Sequence, residues 1–135
     1  MANEATLLEV NELEYRQLTV GDATAINKGT LMVITVDPNT GREHGGTINE
    51  IPVGFSAVEK TANDGQTTLP CQVRGDVDAV ADGAITIGKL VCPGTVANRV
   101  REFGAASIEK LDKVMGHCLE TASDGEKVRI RLMLG

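Results

Sequence analysis

Two histidines, three cysteines and a set of carboxylates are the residues of this 135-residue chain that could carry acid–base, nucleophilic or metal chemistry. His44 lies in Arg42-Glu43-His44-Gly45-Gly46, a glycine-rich loop, and His117 adjoins Cys118. Nucleophilic catalysis needs a base within hydrogen-bond reach of the nucleophile, and neighbouring residues of a strand point to opposite faces, so His117 and Cys118 make no dyad. No His-x-His or His-x₃-His spacing offers a zinc site. Cys71, Cys92 and Cys118 are odd in number and form no C-x-x-C pair, so they read as small core residues, neither a disulfide framework nor a zinc ribbon. Asp37, Asp64, Asp82 and Asp124 stand in no D-x-D-x-D-G run and read as turn formers, not calcium ligands. The expectation is a protein that is not an enzyme, with no metal and no cofactor.

Charge removes further classes. The net charge is −6, and the lysines and arginines are scattered, whereas a nucleic-acid surface needs a basic stripe to replace counterions along the phosphates. Lys127, Arg129 and Arg131 come nearest, at spacings that put them on one face of a strand, where a solvated face explains them. No apolar run is long enough to span a bilayer, and Met-Ala-Asn-Glu-Ala lacks the basic start and apolar stretch of a secretory signal. Neither nucleic acid nor membrane is an expected partner, and synthesis in the cytoplasm is expected.

The elements that hold these residues are strands. Turn signals recur at short intervals with alternating apolar residues between them. Thr30 to Val36 is a β-branched run closed by Asp37-Pro38-Asn39-Thr40-Gly41, where proline and then glycine suit a turn. Asn63-Asp64-Gly65, Asp82-Gly83 and Ser123-Asp124-Gly125 signal further turns, so Asp64, Gly65, Asp124 and Gly125 are expected to form turn tips. In the last strand Val128, Ile130, Leu132 and Leu134 alternate with Lys127, Arg129, Arg131 and Met133. The spacing of Ile108, Leu111 and Val114 or Met115 predicts one short helix over 105–114, with Ser107 as cap and Gly116 as stop. Residues 96–103 fit helix and strand equally. With Tyr15, Phe55 and Phe103 as its aromatics, the core must be aliphatic.

The chain also repeats itself. Ala25-Ile26-Asn27-Lys28-Gly29-Thr30-Leu31 is echoed by Ala84-Ile85-Thr86-Ile87-Gly88-Lys89-Leu90 at an offset of 59, Val53-Gly54 by Met115-Gly116 at 62, and Thr61-Ala62-Asn63-Asp64-Gly65 by Thr121-Ala122-Ser123-Asp124-Gly125 at 60. Gly75 and Gly135 end the two units. The reading is a single β domain over 21–135 built from pseudo-repeats at about 23–75 and 82–135, two halves that bury their apolar faces against one another in a small barrel or roll. The competing reading is that common hairpin words are used twice. Residues 1–20 mix Leu7, Leu8, Val10, Leu13, Tyr15, Leu18 and Val20 with polar residues and have no evident counterpart before the second unit. They are either an extra strand or an arm that pairs with another chain by strand addition.

The order Gly-Asp-Ala, Ala-Ile, Lys-Gly, Leu-Met-Val, Ile-Pro-Val-Gly-Phe-Ser-Ala-Val, Asp-Gly, Val-Arg-Gly, Ile-Gly-Lys-Leu-Val, Val-Met-Gly-His-Cys-Leu-Glu-Thr-Ala, Asp-Gly and Leu-Met-Leu-Gly resembles the small capsid decoration, or cement, proteins of tailed double-stranded DNA viruses. It covers Gly21 to Gly135, and this chain carries a longer stretch, Asn98 to Lys113, before the second Val/Met-Gly. The resemblance implies a mainly β, β-tulip or β-clip-like domain on the exterior of the expanded icosahedral capsid, stabilising the virion. It also implies a homotrimer at three-fold positions and an N-terminal arm laid on the major capsid protein. Leu7, Leu8, Val10, Leu13 and Tyr15 are then the expected capsid or subunit contacts, or else they complete the domain's own sheet. Two other functions compete: a surface-displayed β module that binds a receptor or carbohydrate, which the scarcity of aromatics disfavours, and a tail or baseplate component.

Overall fold

The computed structural model describes residues 3–7, 14–46, 50–104 and 113–134. They form ten strands: β1 Thr6–Leu7, β2 Glu14–Thr19, β3 Leu31–Asp37, β4 Thr40–Glu43, β5 Pro52–Ser56, β6 Thr68–Ala81, β7 Leu90–Pro93, β8 Arg99–Glu102, β9 Gly116–Cys118 and β10 Lys127–Met133. The fold is mainly β, as expected. The predicted helix over 105–114 lies outside the described residues except for Lys113 and Val114, which are not α-helical. Of residues 96–103, Arg99–Glu102 form β8 and the rest are turn or bend, with no helix among them.

The strands close into two rings that share one member. The first ring runs β6-β2-β4-β3-β5 and back to β6, and the second runs β6-β8-β7-β9-β10 and back to β6. β6 is 14 residues long and serves both. Its first half pairs with β2 and β5, its second half with β10 and β8. Closure is narrow at the parallel pairs, one residue pair between β2 and β4 and two between β6 and β8, so that, among the described residues, 14–18 of β2 pair with β6 on one edge only. In each ring one neighbouring pair is parallel, Thr19 beside Thr40 and Val80 beside Arg99, and it occupies the same place in the circuit.

The same hydrogen bonds recur. Ile26 exchanges both backbone bonds with Lys60, and Ile85 does so with Ala122. Gly29 N donates to Ser56 O and Gly88 N to Cys118 O; His44 N donates to Leu31 O and Phe103 N to Leu90 O; Val20 N donates to Thr67 O and Ala81 N to Glu126 O. This correspondence corrects one expectation: residues 14–20 do have a counterpart, because the second ring opens with residues 75–81, seven residues before the expected start at Asp82. Gly75, with φ 106, lies mid-strand within β6 where one ring gives way to the next.

The ring interiors match as well. Leu18, Val20, Ile26, Met32, Val53, Leu69 and Cys71 pack together in the first. Ala79, Ala81, Ile85, Val91, Met115, Val128 and Ile130 belong to the cluster of the second. The echoed Gly54 and Gly116 share a cause, for a Cβ on Gly54 would collide with the backbone carbonyl of Gln72 on β6, and one on Gly116 with that of Arg131 on β10. The Asp-Gly words, by contrast, sit in turns of different length: the first joins the Lys60 bridge to Thr67, the second the Ala122 bridge to Glu126.

Candidate functional site

The charged residues on β10 are tied to β6. Arg129 and Arg131 stand opposite Asp78 and Asp76, with Nε to Oδ1 distances of 3.1 and 3.2 Å. Lys127 Nζ donates to Glu4 O at 2.9 Å and to Thr6 Oγ1 at 3.3 Å. The Asp78 carboxylate raises the Arg129 pKa, first through its hydrogen bond and then through its charge. These three cations are cross-strand partners and not a basic patch.

The histidines do different work. His44 is fully buried; its Nδ1 accepts the Asn98 N–H at 3.0 Å, and Nε2 lies 3.7 Å from Glu50 Oε1. Glu50 also meets Arg42 at 2.5 Å and accepts the Gly45 N–H. Asn98 belongs to the second ring's β7–β8 hairpin and its Oδ1 accepts Leu31 N–H at 3.1 Å. His44 and Asn98 therefore fasten that hairpin to the first ring. A recess of about 500 Å³ lies beside His44, lined by Val20, Ile26, Arg42, Glu43 and Ala97 among others. His117 and the buried Cys118 alternate on β9, and Cys118 Sγ donates to Thr86 O at 2.7 Å. Burial pushes the Cys71 thiol up to about 12. Among the described residues no group of three His, Cys, Asp or Glu side chains could hold a metal ion.

The turn residues lie as follows. Asp64 Oδ1 accepts Gln66 N–H and Oδ2 accepts Thr61 N–H, Gly65 has φ 83, Asp124 Oδ1 accepts Gly83 N–H, and Gly125 has φ 79. The Gln66 N–H and then the Lys60 ammonium hold Asp64 below the usual carboxylate range.

Of the expected contact residues, Leu8, Val10 and Leu13 lie outside the described residues. Leu7 pairs with Val77 through β1. Tyr15 stands on β2 with 53% of its surface exposed, while Leu18 on the same strand is fully buried. Residues 14–19 form β2 and pair with β6. Residues 3–7 form a short strap between the rings: Ala5 N donates to Gly29 O at 2.6 Å, Asn27 Nδ2 donates to Glu4 Oε1 at 2.7 Å, and Thr6 pairs with Asp78.

The remaining feature is apolar. Val36, Ile51, Ile87, Leu90, Val96 and Met133 are exposed along with Tyr15. Val36 lies in β3, as the β-branched run over Thr30 to Val36 predicts, and stands 85% exposed near the β3–β4 turn. The repeat itself carried the missing signal, since Leu90 matches Leu31, which is fully buried.

No family model matches the chain, and neither does any curated protein. Among solved structures, the N base of head fiber gp8.5 of bacteriophage phi29 is similar, with a TM-score of 0.55 and 14% sequence identity over 90% of this chain and 95% of that one. At this identity the likeness shows a shared fold.

Proposed function

We propose that this chain is a structural protein of a tailed-virus particle, seated on the exterior of the expanded capsid and stabilising the shell against the pressure of packaged DNA. The observation that carries the reading is the fold shared, over nine-tenths of the chain, with the base of a phage head fiber. Two strand rings with cross-paired charges and several exposed apolar side chains are compatible with a binding role. The major capsid protein is the proposed partner and a homotrimer the proposed form, with synthesis in the host cytoplasm.

The mechanism is mass action. A protein that binds the expanded shell in preference to other states stabilises it by RT ln(1 + [L]/Kd) per site, about 2.7 kcal/mol when free protein stands at a hundred times Kd, and the sites add over the shell. Tyr15 and the segment before it are the proposed contact, Tyr15 being an exposed aromatic of the kind that anchors interfaces.

The test is co-sedimentation with purified expanded and unexpanded capsids. Stoichiometric pelleting with expanded shells, reduced tenfold or more by Tyr15→Glu while the circular dichroism spectrum is unchanged, supports both the function and the contact. A folded protein that stays in the supernatant with both forms of shell overturns the reading.

A further inference from the structure

The two rings are alike, but their surroundings differ. In the first ring Leu31, His44 and Phe55 are all fully buried on the outer face. They are covered by the end of the β7–β8 hairpin, where Asn98 bonds both Leu31 N–H and His44 Nδ1, and by the strap, whose Ala5 lies against Gly29. Their counterparts in the second ring are Leu90, Phe103 and His117. Leu90 is 38% exposed, Phe103 and His117 are half-buried, and nothing approaches the Cβ position of Gly88. Beside them Ile87 is 60% exposed where the first ring has Lys28. Among the described residues, the second ring thus presents only partly buried the face that the first ring has fully buried.

The matching donor is also present. The β3–β4 and β7–β8 hairpins have the same registers, Met32 opposite Glu43 and Val91 opposite Glu102, and the same length. Asn39 takes the place of Asn98. In the second ring this hairpin end is docked on the other ring; in the first it is bonded to its own ring's β2, with Asn39 O accepting Thr19 N–H and Pro38 O accepting the Arg16 guanidinium, and Val36 stands 85% exposed with Asp37 beside it. Asp37 would meet a face that carries the exposed Lys89.

We infer that the β3–β4 hairpin of one copy seats on the Ile87, Leu90 and Phe103 face of a second copy, repeating between molecules the step that joins the two rings within one. The contact is head to tail: the two surfaces that meet are different, so copies close into a cycle or extend as a chain, according to the rotation between them. Burial of Val36, Ile87 and Leu90 drives it, and Asp37 with Lys89 sets its register.

The test pairs single cysteines on different molecules. Asn39→Cys and Phe103→Cys proteins, mixed and mildly oxidised, are expected to give a disulfide-linked dimer that neither variant gives alone. Light scattering of the unmodified protein over a dilution series should show a mass above that of one chain, returning to one chain in Val36→Asp and in Leu90→Asp. Equal cross-linking within each variant alone would mean a symmetric contact and overturn the inference, as would a single-chain mass at every concentration without mixed cross-linking. The inference does not depend on capsid binding: a monomer that pellets with shells sinks it, and the proposed homotrimer with it, and leaves capsid binding and stabilisation standing.

Discussion

Lys60 is 3% exposed, and its ammonium is caged by Asp22 O at 2.7 Å, Thr61 O at 3.1 Å and Asp64 Oδ1 at 3.0 Å. It fastens the longer turn of the first ring, at the position where the second ring has Ala122. Removing it leaves two part-buried carbonyls and the Asp64 carboxylate without their donor, so Lys60→Ala is expected to cost about 1–3 kcal/mol, read as a lowered urea midpoint at unchanged slope. Asp64 adds a pH dependence. Its folded pKa is depressed by the Gln66 N–H and by Lys60, so its stabilisation is present above its unfolded pKa, about 3.9, and is lost as pH falls through the lower folded value. An acid titration of thermal stability should therefore fall less steeply below about pH 4 for Asp64→Asn than for the unmodified chain. Parallel curves would mean that the carboxylate contributes nothing.

At the scale of elements, the paired glycines separate strap from strain. Gly29 and Gly88 have φ of 86 and 85, so an alanine at either position enters the left-handed region at about 1–2 kcal/mol. At Gly88 the added methyl meets nothing, whereas at Gly29 it collides with the backbone of Ala5. Gly29→Ala is expected to be the more destabilising by at least 1 kcal/mol, and to speed hydrogen exchange at Ala5 and Thr6, which Gly88→Ala should leave unchanged. Much of the element level was legible beforehand. The alternation in β10 set its two faces, and the offsets of 59 and 62 for Ile26 and Gly54 match real ladder positions. What escaped has physical reasons. Residues 75–81 were passed over because Gly75-Asp76 has the composition of a turn, and Asp76 and Asp78 hide the apolar Val77-Ala79-Ala81 face until Arg129 and Arg131 are seen opposite. His44 gave no hint of burial in its glycine-rich loop, because its partners Asn98 and Glu50 are tertiary. Lysine is rarely interior, so Lys60 gave none either.

At the scale of the whole molecule, a shared β6 ties the stabilities of the rings together. Val53→Ala and Met115→Ala remove equivalent side chains from the two interiors, both 3% exposed or less. Each is expected to lower a single unfolding midpoint, by about 1–3 kcal/mol for the smaller truncation and 2–5 kcal/mol for the larger, with tyrosine fluorescence and far-ultraviolet dichroism shifting together. Two separated transitions in either variant would show that the rings fold independently.

The same strand has a mechanical consequence. Tension along β6 passes from one ring to the other through a covalent backbone flanked by ladders, and the hydrogen bonds of the seven paired positions between β6 and β10, Lys127 with Val80 through Met133 with Arg74, run across that strand. A load in this direction must shear all of those bonds at once and cannot peel them open in turn. Such a ladder resists tension along β6 better than prising from the side.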